Sequence, residues 1–336
     1  MFFFFKRHWL LLSILIIIII AIVAAYLADF SRPMNWGVTF SPPYARDELG
    51  LDWKKTYLAI LDDLKVDRLR LSAYWNETEK KEGVYDFSDL DWQIKEAGDR
   101  GAKIILAVGR RLPRWPECHD PAWIKGMNSI EVDQKELKFV EAVAKRYAGN
   151  EHIVYWQVEN EPYLGTFGVC PPADTDLLKE EIAAVRKITG KPILVTDSGE
   201  LSTWWPISRS GGDILGTTLY RVVYNPTIGY FRWFTPPFFY WIRTQALEKT
   251  TPIKKVIVAE LQAESWHKAG QNLATMTLAQ HNESMSIGQF RENISFTRRA
   301  GFDEAYLWGV EWWYLMKTKM DYPAYWDEAK KLWENN

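Results

Sequence analysis

Cysteine is nearly absent from this chain: Cys118 and Cys170 are the only two in 336 residues. That excludes a disulfide-rich scaffold and a four-cysteine zinc site. A basic excess is missing too. Lys plus Arg number 41 against 43 Asp plus Glu, a formal net charge of −2, so the footprint of a nucleic-acid binder is not there. Histidine is scarce, five in all. There is no H-E-x-x-H, no G-x-S-x-G elbow, no Walker A sequence, and no G-x-G-x-x-G after the first predicted strand. Metal-assisted, serine-based and nucleotide chemistry therefore lose support, and neither a metal nor a cofactor is expected. Aromatic residues, by contrast, are abundant: 18 Trp, 16 Tyr and 16 Phe. Part of these belong to a core, but tryptophan at this frequency also suits a surface that stacks on the apolar faces of sugar rings.

The first thirty residues read as separate from the fold. Trp9 to Leu27 is an almost unbroken apolar run of about 19 residues, enough to cross ~30 Å of hydrocarbon as a helix. Lys6 and Arg7 precede it, which favours a cytoplasmic N-terminus and an exported body. The expected organisation is a transmembrane anchor over 1–30 and a catalytic domain over 31–336, membrane-anchored and extracytoplasmic. A cleaved signal peptide, with Val23-Ala24-Ala25 as the cleavage site, is the competing reading. Export would also place Cys118 and Cys170 in an oxidising compartment, where a disulfide between them and two free thiols are both open.

Short apolar runs bounded by glycine, proline or charge predict eight strands: Asn35–Ser41, Val66–Trp75, Lys103–Gly109, Ile153–Glu159, Pro192–Ser198, Asp213–Tyr220, Lys255–Gln262 and Glu304–Trp312. Helical patterns lie between most of them. Leu137, Val140, Ala144 and Tyr147 follow helical spacing, Ser88 and Asp91 suggest a capping box, and Gly101, Gly190 and Gly301 stand where helices end before strands. Near-continuous apolar strands such as Ile104 to Val108 are buried on both faces. Eight such units in one chain predict an α/β fold, a single (β/α)8 barrel. The aromatic stretch Tyr230 to Ile242 breaks the pattern. It reads as a buried helix, a sugar-binding wall, or a patch that dips into the membrane.

In such a barrel the chemistry sits at the C-terminal ends of the strands. There the chain offers carboxylates, arginines and aromatics, and two carboxylates facing each other are what glycosidic-bond cleavage needs. The sequence Tyr155-Trp156-Gln157-Val158-Glu159-Asn160-Glu161-Pro162 at the fourth strand resembles glycoside hydrolase clan A, the retaining barrel glycosidases with Asn-Glu-Pro at this position. The resemblance implies Glu161 as acid/base and Asn160 as the residue that binds the sugar 2-hydroxyl. It also implies Glu260, which ends the apolar run Val256 to Ala259, as nucleophile, with Glu264 a local rival. Arg70 resembles the arginine that keeps the nucleophile ionised, Tyr220 the sixth-strand tyrosine, and Trp308 the tryptophan that floors the sugar site. Trp75 and Trp115 are further candidates for sugar contact. Arg111-Leu112-Pro113-Arg114-Trp115 is similar to the third-strand loop of families thirty-nine and forty-two, and the histidine usual near that strand in family five is not evident.

The function expected from this resemblance is retaining hydrolysis of an O-glycosidic bond, β-linked by analogy with the clan, in an oligosaccharide, polysaccharide or glycoconjugate. Two other readings stand beside it. One is a membrane-surface glycosidase acting on a lipid-linked glycan. The other is a catalytically inactive carbohydrate-binding barrel.

Overall fold

The computed structural model describes residues 2–334, with side chains at Trp9 and from residue 11 onward. Lys6 and Arg7, the expected positive flank, lie outside the described side chains. Ten strands form: β1 (Asn35–Thr39), β2 (Arg68–Ser72), β3 (Lys103–Val108), β4 (Ile153–Val158), β5 (Ile193–Asp197), β6 (Ile214–Leu219), β7 (Val222–Asn225), β8 (Gly229–Arg232), β9 (Lys255–Gln262) and β10 (Glu304–Trp308). Eight close into a parallel barrel in the order β1-β10-β9-β6-β5-β4-β3-β2, while β7 and β8 form a separate antiparallel hairpin. All eight expected strands are present, most of them trimmed by a residue or two at their ends.

Alternation along the strands divides the core. Trp156, Val158, Leu106 and Val108 face outward into the layer between sheet and helices. Ile105, Leu194, Ile214, Ile257 and Tyr306 form a second cluster inside the barrel. Interior positions on β2 and β4 include Arg70 and Gln157, both wholly buried. The surrounding helices start where side chains satisfy their free amides. Asn128 and Glu131 make a reciprocal capping box on the Ser129–Tyr147 helix, and Asp174 caps Thr175–Thr189. The expected box at Ser88 does not form. Ser88 is already the first helical residue, and its amide donates to Asp86 instead. Gly190 takes the left-handed conformation expected of a C-cap, at φ 64°.

One irregularity decides where a functional group points. β9 pairs Val258 with Thr217 and Glu260 with Thr218, so Ala259 is an extra residue with no partner on β6. The pairing with β10 shifts at the same place. Counting by twos from the inward Ile257 would send Glu260 outward. The bulge resets the alternation and turns Glu260 to the interior.

The Tyr230–Ile242 stretch becomes the end of the hairpin and the start of the Pro237–Thr250 helix. Tyr240 is buried, whereas Phe234, Phe238 and Ile242 stay exposed. The N-terminal helix runs Phe2–Leu27. Phe30, just beyond it, stacks on Trp241 with ring centroids 4.3 Å apart. Among the described residues no helix is long and apolar enough to cross a membrane, so the expected transmembrane span is not met there.

Cys118 and Cys170 are joined in a disulfide that spans 52 residues of sequence and ties the loop after β3 to the loop after β4. Closing a loop of that length stabilises a fold by about 2–4 kcal/mol, chiefly by restricting the unfolded chain. Replacing both cysteines by serine is expected to lower the unfolding free energy by about that amount, measured by denaturant titration. An unchanged midpoint would show that the bridge contributes nothing to stability.

Candidate active site

Arg70 stands at the centre of the barrel's C-terminal half. Its three guanidinium nitrogens each hold a different group. Nε donates to Gln157 Oε1 at 2.7 Å, Nη1 to Glu260 Oε1 at 2.9 Å, and Nη2 to Asn160 Oδ1 at 2.7 Å. Arg70 is 0% exposed and Glu260 4%. A buried charge must be paired and hydrogen-bonded, and this one is paired through the planar fork that suits a carboxylate. The second oxygen of Glu260 accepts from the Tyr220 hydroxyl at 3.0 Å. Glu260 thus accepts one hydrogen bond from a cation and another from a phenol. Burial and the Glu260 charge hold the Tyr220 hydroxyl well above its usual range, so it remains a donor.

Glu161 meets the opposite environment. Its carboxyl is buried, and its Oε1 has no hydrogen-bond partner. Burial first, then the Glu260 charge, pushes it well above the ordinary carboxylate range. The backbone bends sharply to place it: φ is +58° at Glu159 and +45° at Glu161. Such conformations cost about 1–3 kcal/mol each and persist only where the surroundings hold them. Here Glu159 is the fastener. Its oxygens accept from the amides of Arg110 at 2.5 Å and Arg111 at 2.9 Å, and the Asn160 amide donates back to the Arg111 carbonyl at 2.7 Å. Gly109 is required beside it, because a Cβ there would lie 1.8 Å from Glu159 Oε1. The Glu161 amide donates to Thr196 Oγ1 at 2.8 Å, which fixes the turn from the β5 side.

Behind this turn, Glu136 and Glu181 bring carboxyl oxygens within 4.8 Å of those of Glu159. Both are buried, and burial pushes both upward. The Glu159 oxygens of this group already accept from two amides.

The other expected residues divide. Trp308 is at the end of β10 and 8% exposed. The Arg114 guanidinium lies 4.1 Å from its ring and 3.7 Å from that of Tyr44. Arg114 also pairs with Glu264 and, at 2.8 Å, with Glu311. Glu264, the local rival of Glu260, is therefore committed to a different arginine. Trp115 is 65% exposed on the rim, edge-on to Phe167, which neighbours Trp266, which in turn meets Tyr220 edge-on. Trp75 is not brought to the site. It is wholly buried among Trp123 and Phe139, with its indole N–H bound to Glu79.

Gln157, Glu117 and Arg114 were not singled out from sequence as site residues. For Gln157 a signal existed, a polar residue inside an apolar strand. For the others, the loops had to be folded first. A histidine does stand near the third strand: His119 is buried with its ring 4.4 Å from that of Tyr74.

Replacing Arg70 by Met would strip Glu260 of its cation. Breaking a buried pair from one side costs about 3–5 kcal/mol, so a marked fall in melting temperature is expected. A variant that melts like the parent would remove Arg70 from its central place.

Comparison with known proteins converges on one group. The chain is 27% identical over 215 residues to β-galactosidase BgaA of Clostridium cellulovorans, covering 57% of this chain and 32% of that protein. It thus spans about a third of that relative's length. Among solved structures, an exo-β-1,4-mannosidase from Opitutaceae bacterium strain TAV5 superposes with a TM-score of 0.55 at 16% identity, covering 85% of this chain and 53% of that one. A β-galactosidase of Halorubrum lacusprofundi gives 0.57 at 15% identity, covering 82% and 52%. At these identities the superpositions speak for the fold. The family model described as Cellulase (glycosyl hydrolase family 5) matches residues 36–280, and the chain therefore belongs to glycosyl hydrolase family 5, within clan A.

Proposed function

We propose that the protein is a retaining β-glycosidase in which Glu161 is the acid/base and Glu260 the nucleophile. The observation that carries this reading is the contrast between the two carboxyls. Glu260 is hydrogen-bonded by Arg70 and Tyr220, while Glu161 is buried with a free oxygen and held protonated. Two carboxyls with opposed environments are the arrangement that divides acid from nucleophile. The names of the relatives, a β-galactosidase and an exo-β-1,4-mannosidase, support a β-linked substrate.

In the first step Glu161 gives its proton to the glycosidic oxygen as the bond to the anomeric carbon breaks. A Glu260 oxygen forms the new bond to that carbon. In the second step Glu161, now ionised, takes a proton from water, the water oxygen bonds to the anomeric carbon, and the Glu260 ester bond breaks. This double displacement calls for carboxyls ~5–5.5 Å apart. Asn160, with its oxygen held by Arg70, keeps its amide hydrogens for Glu117 and the sugar 2-hydroxyl.

Glu161→Gln and Glu260→Gln are each expected to lose at least about 10³-fold in kcat on aryl β-glycosides, and a 2-deoxy-2-fluoroglycoside is expected to label Glu260. The sign of the pH dependence follows from Glu161. The protonated form is the active one, so kcat/KM should hold below the raised pKa and fall as pH rises through it. Near wild-type turnover in either variant would overturn that residue's role.

We also place the barrel outside the cytoplasm, held at a membrane by the Phe2–Leu27 helix. The disulfide supports the oxidising compartment, and the exposed side chains of Ile16 to Ile20 support an apolar partner for the helix. Cell fractionation checks this: the protein should sediment with membranes. Recovery in the cytoplasmic fraction would refute it. The same placement motivates a second reading, hydrolysis of a lipid-linked glycan, because Phe234, Phe238 and Ile242 stand exposed near Trp241, on which Phe30 stacks.

A further inference from the structure

One carboxyl in the pocket takes no part in the double displacement. Glu117 lies on the loop after β3 and is only 4% exposed. Its Oε2 accepts from Asn160 Nδ2 at 3.2 Å. Arg111 Nε stands 3.9 Å from the same oxygen, too far for a hydrogen bond, and that nitrogen is itself without a partner. Among the described residues no donor reaches the other oxygen, Oε1, and it is not one of the enclosed polar atoms. Through Asn160, which neighbours Glu161 in sequence and is itself held by Arg70, Glu117 is linked to the cation that binds Glu260.

The loop is built to hold this side chain still. The Leu112 amide donates to the Glu117 carbonyl at 2.8 Å, and the Glu117 amide to the Arg114 carbonyl at 2.9 Å. The next residue, Cys118, is bonded to Cys170. From the β4 side Gly168 presses on the stem, since a Cβ there would lie 2.7 Å from Glu117 Cγ. Glu117 itself has φ +74°, a conformation retained only where the surroundings impose it. A polar group fixed by its neighbours, with an open oxygen beside the reacting pair, is how a binding site reads a hydroxyl.

We propose that Glu117 is a specificity-determining residue, whose free oxygen takes the C3 hydroxyl of the sugar that Glu260 attacks. The proposal rests on the glycosidase reading above. Glu260 reaches C1, and Asn160 resembles the residue that takes the C2 hydroxyl. A carboxyl bonded to Asn160 and unused on either carbon meets the next hydroxyl along the ring, on C3. Burial and the Glu260 charge push Glu117 up to about 8. At neutral pH it carries a proton, so it can donate to that hydroxyl as well as accept from it.

The consequence is a rule about substrates. Glucose, galactose, mannose and xylose share the configuration of the C3 hydroxyl, so Glu117 does not choose among them. It selects against a sugar substituted at O3. Chains that continue through O3 of the attacked unit, as β-1,3-linked polymers do, are excluded from internal cleavage.

The test needs no turnover. The Glu260→Gln protein is titrated calorimetrically with the phenyl β-glycosides of these four sugars and with their 3-deoxy counterparts. At least one parent glycoside should bind, and its 3-deoxy form should bind ~10–100-fold more weakly. Adding Glu117→Ala should reduce that ratio to within about threefold, whereas Glu117→Gln, which keeps an acceptor and a donor, should preserve most of it. A melting curve checks folding, and Glu117→Leu gives the same comparison at nearly constant volume should the alanine variant unfold. The same ratio with and without Glu117, or no binding by any of the four glycosides, would overturn the proposal. Wild-type turnover is read in parallel. If it is absent while the 3-deoxy ratio stands, the hydrolase reading fails and the Glu117 contact survives.

Discussion

The pairing of Arg70 with Glu260 is the interaction on which the rest of the site depends. A guanidinium wholly removed from water is tolerated only if every side of its fork is engaged. Here the fork reaches β4 through Gln157, β9 through Glu260, and the turn after β4 through Asn160. The charge that stabilises the nucleophile thereby also sets the position of the residue next to the acid/base. Electrostatics and geometry are supplied by one side chain, and neither can be altered alone.

A second arginine shows the same economy on the far side of the pocket. Arg114 lies between Tyr44 and Trp308 and bridges Glu264 and Glu311. It joins the loop after β3 to the ends of β9 and β10. The two arginines divide three carboxylates between them, Arg70 taking Glu260 and Arg114 taking Glu264 and Glu311. Glu260 belongs to Arg70 alone, which leaves Glu161 as the acid without a cation of its own.

Much of this was legible in the sequence because strand ends are local features. The eight strands showed as apolar runs between glycine, proline and charge. Glu161 and Asn160 showed as a motif, and Glu260 as the first charge after an apolar run. What could not be read depended on loops or on register. Trp75 looks like a strand-end aromatic, yet it begins a short helix that turns its ring into the outer core. Glu117 and Arg114 belong to a loop whose positive-φ residues at 114 and 117 are not glycines, so composition gives no warning of its shape. The Ser88 box failed because the helix begins at Ser88 rather than one residue after it. The family, left open on the loop after β3, is settled as family five by a match that runs across most of the barrel.

The unpaired Ala259 in β9 carries a consequence beyond this pocket. The sequence Val256 to Leu261 could serve equally well as an ordinary buried strand, and only one additional residue separates the two outcomes. Insertion and deletion, rather than substitution, are therefore the kind of change by which a barrel of this sort gains or forfeits a charged group at its mouth. Two such chains can carry the same glutamate in an alignment and yet present it to opposite sides of the sheet.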